Sequence, residues 1–138
     1  MVFIARPKAE NYEYFARRNA PSPKHGGDRW YMVTGNVEPD ETLEEAVVRE
    51  TQEETGIDTF TKINKLPIVN TYPATDDTET EIIEQAFVLL TEYAGNIELN
   101  EESTEYLWLS LEDFVQKIWW PKDRSLLGET LHQALLNK

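Results

Sequence analysis

Apolar residues in this chain fall in short runs divided by polar, glycine or proline positions, the pattern of a mixed α/β domain. Met1–Ala5 and Tyr12–Ala16 predict two strands, the second ending in Arg17 and Arg18. Positions 19–28 hold two prolines and two glycines and predict a loop. Trp30–Val33 predicts a short strand running into Gly35, and Leu66–Tyr72 and Ile82–Leu90 predict two longer ones joined by a polar turn at Asp76–Glu79. Gly95–Asn96 marks a further turn, and Leu107–Leu109 predicts a last short strand. Two helices are expected near the C-terminal end, Leu111–Ile118 and, after Pro121, Ser125–Leu136.

The most sharply signalled element is a helix over Leu43–Thr55. Pro39–Asp40 makes the turn before it. Thr42 is a natural N-cap, and Glu45 three residues on completes a capping box. Gly56 suits the left-handed position past the helix end, with Ile57 as the apolar contact beyond it.

That helix carries an anomaly. At 100° per residue, Leu43, Ala46 and Val47 share a face, and the same stripe continues into Glu50, Glu53 and Glu54. An ordinary amphipathic helix would place leucines there. Three carboxylates at spacing i, i+3, i+4 repel one another and raise one another's pKa unless a counter-charge sits among them. Hard divalent cations such as Mg²⁺ and Mn²⁺ take such oxygens. The plainer alternative is a solvated glutamate-rich face on which Arg49 pairs with Glu45 and Glu53.

Composition limits the partners. The chain has 138 residues, enough for one domain (1–138) with its own core. It has no cysteine, which removes disulfides, thiolate metal sites and cysteine nucleophiles, and it fits a reducing compartment such as the cytoplasm. No apolar run approaches the ~20 residues of a membrane span, and no secretory signal is visible. With 13 basic and 26 acidic residues the formal charge is −13, a poor match for nucleic-acid polymers or anionic membranes. An anionic substrate would then need a local basic patch or bound cations.

From Gly35 the chain reads G, five residues, Glu41, seven residues, then Arg49-Glu50-Thr51-Gln52-Glu53-Glu54-Thr55-Gly56-Ile57. This stretch resembles the Nudix box, G, five, E, seven, R-E-U-x-E-E-x-G-U with U a bulky aliphatic residue. Eight of nine defined positions match over 23 residues, and Thr51 departs from an aliphatic site. At that site the resemblance leads us to expect a slightly poorer helix-to-sheet contact and intact metal chemistry.

The resemblance implies a Nudix fold, an α-β-α arrangement with a mixed β-sheet sandwiched between helices. It implies hydrolysis of a pyrophosphate by water attack at phosphorus, with Mg²⁺ or Mn²⁺ on the phosphates. Glu50, Glu53 and Glu54 match the family's metal ligands, Glu50 being sometimes assigned as the base, and the Gly35 region matches a carbonyl in the metal shell. Arg49 matches the arginine that orients the box carboxylates, with Glu41 supporting it or the loop. Glu102, in Asn100–Leu109, resembles a further acid or base found outside the box in some subgroups, although Ser103 stands where a histidine is frequent.

The stretch Trp30–Glu38 resembles the W-x-x-V-T-G-x-V-E segment of the subgroup acting on dihydroneopterin triphosphate and dATP, and Trp119, Trp120, Lys122 and Arg124 resemble its C-terminal segment. The expected substrate is therefore a nucleoside or pterin triphosphate, with a dinucleoside polyphosphate or nucleotide sugar as the alternative and a non-catalytic binding module as a third reading. The chain would act as a monomer or homodimer. Substrate contacts are expected from Trp30 and Arg124, from Tyr72, and from one of the adjacent tryptophans, with Trp120 favoured. Strand alternation sends Arg17 and Arg18 to opposite faces, so one of them is expected near the phosphates. Lys24 and Arg6 read as solvated charge, and His25 and His132 lack metal-ligand spacing.

Overall fold

A computed structural model describes residues 1–20, 28–73 and 81–136. The loop around Lys24 and His25 and the turn at Asp76–Glu79 lie outside the described residues. The elements are β1 (Val2–Lys8), β2 (Asn11–Asn19), β3 (Trp30–Tyr31), α1 (Leu43–Thr55), β4 (Lys62–Pro73), β5 (Glu81–Leu90), β6 (Ser103–Ser110), α2 (Leu111–Lys117) and α3 (Arg124–Leu136). They form a mixed sheet with the path β3-β2-β1-β5-β4, and β6 adds to β2.

β1 and β5 run parallel, Val2 opposite Phe87 and Ala5 opposite Leu90. Both faces of this central pair are covered, so their apolar residues are consecutive rather than alternating. Phe3 and Ala5 point into a core shared with Phe114, Leu127 and Leu131 of α2 and α3. Val2 and Ile4 point the other way, toward Phe15, Val47 of α1 and Ile57. Helices thus lie on both sides of the sheet, as the Nudix resemblance implied. β4 is longer than its apolar run suggested, because its edge tolerates polar positions and a register shift between Lys65 and Val69, around Pro67.

β2 creates the feature that positions the site. β6 follows one of its edges from Glu13 to Asn19. The other edge is divided, with β1 pairing to residues 11–14 and β3 to Arg17 and Arg18. The sheet therefore forks, and a bridge between Val2 and Val33 ties the β1 and β3 sides together. Arg17 sits at that fork.

α1 begins and ends where its caps predict. The Thr42 side chain accepts from the Glu45 N–H, the Glu45 side chain accepts from the Thr42 N–H, and Gly56 sits at φ 79°. Ala46 and Val47 are buried, while Leu43 in the first turn stays 40% exposed. The Thr51 hydroxyl is buried with no hydrogen-bond partner. The departure from an aliphatic residue thus leaves an unpaired polar atom against the sheet, a different cost from the slightly poorer contact expected.

Candidate active site

Alternation along β2 turns Arg17 inward and Arg18 outward. Arg17 is nearly fully buried. Its Nε donates to the Met32 carbonyl (3.0 Å), its Nη1 to Asn19 Oδ1 (2.7 Å) and Ser103 Oγ (3.2 Å), and its Nη2 to Thr34 Oγ1 (3.2 Å). The same Nε lies 3.1 Å from Glu54 Oε1. Backbone and side chains from β2, β6 and the segment after β3 thus hold one guanidinium rigidly beneath the fork.

Glu54 projects from the last turn of α1 into this space and has no exposed surface. Neither of its oxygens has a hydrogen-bond partner. Burial pushes its carboxyl up to about 8; Arg17 opposes the shift, and Glu102 and Glu50 add to it. One turn earlier, Glu50 packs over Gly35. A Cβ at position 35 would come within 2.0 Å of Glu50 Cδ, so any other residue there would push Glu50 out of this place.

Arg49 organises the outer side of the same helix. It grips Glu41 in bidentate fashion, Nε to Oε2 at 2.8 Å and Nη2 to Oε1 at 3.0 Å. It also donates to Glu50 Oε1 (2.8 Å), to Glu53 Oε2 (3.3 Å) and to the Asn36 carbonyl (2.7 Å). Glu41 Oε1 in turn accepts the Glu38 N–H at 3.0 Å. Arg49 thereby holds Glu41 below the usual carboxylate range and fixes the loop between Gly35 and α1.

Above the fork opens a cleft of about 640 Å³. Arg17, Thr34 and Glu102 line it, Asn70, Tyr72 and Glu84 come from β4 and β5, and Tyr31, Trp119 and Lys122 complete the wall. A cleft of this size, apolar on one side with converging charged groups, suits a nucleotide-sized ligand. No helix of the described residues is long and apolar enough to cross a membrane.

The donor set fits a hard divalent cation. Glu54 offers two buried oxygens that accept no hydrogen bond, and Glu50 and Glu102 are near enough to repel its charge. Among the described residues no three acidic or histidine side chains already converge as a formed shell. The arginines explain this: Arg49 draws Glu50 and Glu53 toward itself, and Arg17 takes one side of Glu54.

The chain matches the NUDIX domain family model over residues 2–129. It belongs to the Nudix family. A 113-residue match, 33% identical, aligns 80% of the chain with 75% of the pig asymmetrical bis(5'-nucleosyl)-tetraphosphatase. A shorter match, 45% identical over 55 residues, covers 40% of the chain and only 14% of the much longer Caenorhabditis elegans nudix hydrolase 1. Among solved structures, a C. elegans Ap4A hydrolase complex superposes with TM-score 0.76 at 21% identity, covering 99% of this chain and 96% of that one. The Escherichia coli dihydroneopterin triphosphate pyrophosphohydrolase gives TM-score 0.70 at 21% identity, covering 99% and 94%.

Within this Nudix domain, the fold brings Gly35, Glu50 and Glu54 together with Arg17, places Glu102 and Tyr72 in the cleft, and sets Arg49 behind the carboxylates. Glu53 lies farther out than its helical phase suggested, its side chain 55% exposed. Four residues expected at the substrate are engaged elsewhere. Arg18 pairs outside with Glu105 (2.7 Å) and Asp28 (2.6 Å). Trp30 faces Lys117, whose Nζ is 5.0 Å from the ring. Trp120 is buried edge-on against Phe3, centroids 6.0 Å apart, whereas Trp119 is the tryptophan that reaches the cleft. Arg124 donates Nη1 to the Val115 and Ile118 carbonyls at 2.5 and 2.7 Å, tying off the end of α2.

Sequence reading did not single out Asn70, Glu84 or Tyr31, nor give Lys122 a site of its own. Asn70 shares a strand face with Tyr72 two residues on and stands directly opposite Glu84, so alternation from Tyr72 could have found both.

Proposed function

We propose that this Nudix protein is a Mg²⁺-dependent pyrophosphohydrolase that cleaves a nucleoside or pterin triphosphate to the monophosphate and pyrophosphate. The observation that carries the reading is Glu54, buried without a hydrogen-bond partner against Arg17, which itself lines a nucleotide-sized cleft. Glu50, Glu53 and Glu54, with the Gly35 carbonyl, would hold the cation. Bound there, the cation would neutralise the phosphate charge that the −13 chain otherwise repels and would stabilise charge developing on the bridging oxygen.

The chain's own groups do the rest. Arg49 fixes the box carboxylates and the loop beneath them. Arg17 keeps Glu54 in place. Tyr72, Tyr31 and Trp119 offer aromatic faces to a base or pterin ring. A carboxylate near Glu54, either Glu102 or Glu50, takes the proton of the attacking water. The water oxygen bonds to phosphorus, the P–O–P link breaks, and pyrophosphate leaves with the bridging oxygen's electron pair.

A second reading is asymmetrical cleavage of a dinucleoside tetraphosphate, favoured by the 33% identity to the pig enzyme. A binding module without turnover is disfavoured by the intact box carboxylates.

Chromatographic product analysis with Mg²⁺ tests these readings, using dATP, the other dNTPs, dihydroneopterin triphosphate, diadenosine tetraphosphate and ADP-ribose. Monophosphate plus pyrophosphate from a triphosphate supports the first. Cleavage restricted to diadenosine tetraphosphate moves the chain to the second. No turnover on any of them overturns both.

A further inference from the structure

The cleft must draw in a polyanion, yet it is lined by Glu84 and Glu102, and Glu54 is buried against its Arg17. Among the described residues two cations line it, Arg17 and Lys122. Arg17 is already engaged: its donors go to Met32, Asn19, Ser103 and Thr34, and its charge faces Glu54. Lys122 is different. Its Nζ donates to the side-chain oxygen of Asn70, a neutral partner, and no carboxylate among the described residues pairs with it. It is held in position without being neutralised. Two of the three ammonium N–H donors remain for a ligand.

The placement is also built from behind. Lys122 lies on the linker between α2 and α3. Arg124 ties that linker to the Val115 and Ile118 carbonyls, and the Trp119 N–H donates to the Trp30 carbonyl at 2.9 Å. Asn70 is oriented in turn, its amide Nδ2 donating toward Met1 Sδ at 3.6 Å, which leaves Oδ1 for the lysine.

We propose that Lys122, poised by Asn70, is a phosphate-binding residue of this cleft, taking oxygens of the polyphosphate chain of a nucleotide substrate. The inference rests on the polyphosphate-hydrolase reading above but concerns binding, so it can be tested apart from turnover.

The experiment is calorimetric titration of the whole chain with inorganic tripolyphosphate in MgCl₂. Lys122→Met should weaken binding at least tenfold and flatten its salt dependence, as expected for a lost charge-assisted hydrogen bond. Lys122→Arg should stay within about threefold of wild type, since it keeps the charge. Asn70→Asp should behave like Lys122→Met, because the tether then becomes an ion pair that neutralises the lysine in place. A Lys122→Met protein that binds within twofold of wild type overturns the proposal, as does a wild type that binds no tripolyphosphate. If binding depends on Lys122 but no nucleoside triphosphate is turned over, the proposed activity fails and the phosphate site stands.

Discussion

Arg17 Nε lies 3.1 Å from Glu54 Oε1 in a space with almost no solvent, and that carboxylate has no hydrogen-bond partner. Burial there disfavours the charged carboxylate in the empty protein despite Arg17, and a bound cation would favour it. Glu54→Gln keeps the shape and removes the charge. We expect the fold to survive, turnover to fall at least 100-fold, and the melting temperature to lose most of its rise on adding Mg²⁺. Melting curves with and without Mg²⁺, alongside the product assay, check both halves. Full activity in the variant would remove Glu54 from the metal-binding set.

The same carboxyl sets a pH dependence of stability in metal-free protein. Its folded pKa is pushed up to about 8 from an ordinary 4.5. Between those values the folded state holds a proton that the unfolded state has released. Its contribution is therefore most favourable below about pH 4.5 and declines as pH rises to about 8. In EDTA, the melting temperature of wild type relative to Glu54→Gln should fall steadily from pH 5 to pH 8. A difference that is flat across this window would show that Glu54 is not the titrating group.

What was legible in the sequence depended on how local the cause was. The limits of α1 follow from Thr42, Glu45 and Gly56, which act within one turn of their neighbours, and the structure reproduces them. The inward turn of Arg17 and outward turn of Arg18 needed only strand alternation. The choice between Trp119 and Trp120 was different. Phe3 and the α2–α3 core decide which ring is buried, and those partners are over a hundred residues away or on another element. The same holds for Arg124, since the carbonyls that hold it exist only once α2 has ended.

Thr51 makes a stability prediction. Its hydroxyl is buried against the sheet without a partner. Thr51→Val has nearly the same shape and no unpaired polar atom, so it should stabilise the protein by about 1 kcal/mol. For a chain of this length that is roughly 3 °C in melting temperature. Activity should be unchanged, because the side chain is not among the groups that line the cleft. Thermal denaturation of the two proteins settles it, and a lowered melting temperature would mean the hydroxyl is satisfied in solution.

The adjacent tryptophans should separate binding from folding. Trp119 is 43% exposed and reaches the cleft, touching Tyr31 and lying beneath the Arg29 guanidinium at 4.5 Å. Trp120 is 7% exposed and packs on Phe3. Trp120→Ala empties a core position and should cost about 3–5 kcal/mol, enough to leave much of the protein unfolded. Trp119→Ala should leave the melting temperature within a few degrees and instead raise KM for a base- or pterin-bearing substrate about tenfold, with kcat little changed. Inorganic tripolyphosphate, which has no ring to stack, should bind Trp119→Ala and wild type alike. Should Trp119→Ala weaken tripolyphosphate as much as the nucleotide, the ring would be supporting the linker rather than facing a base.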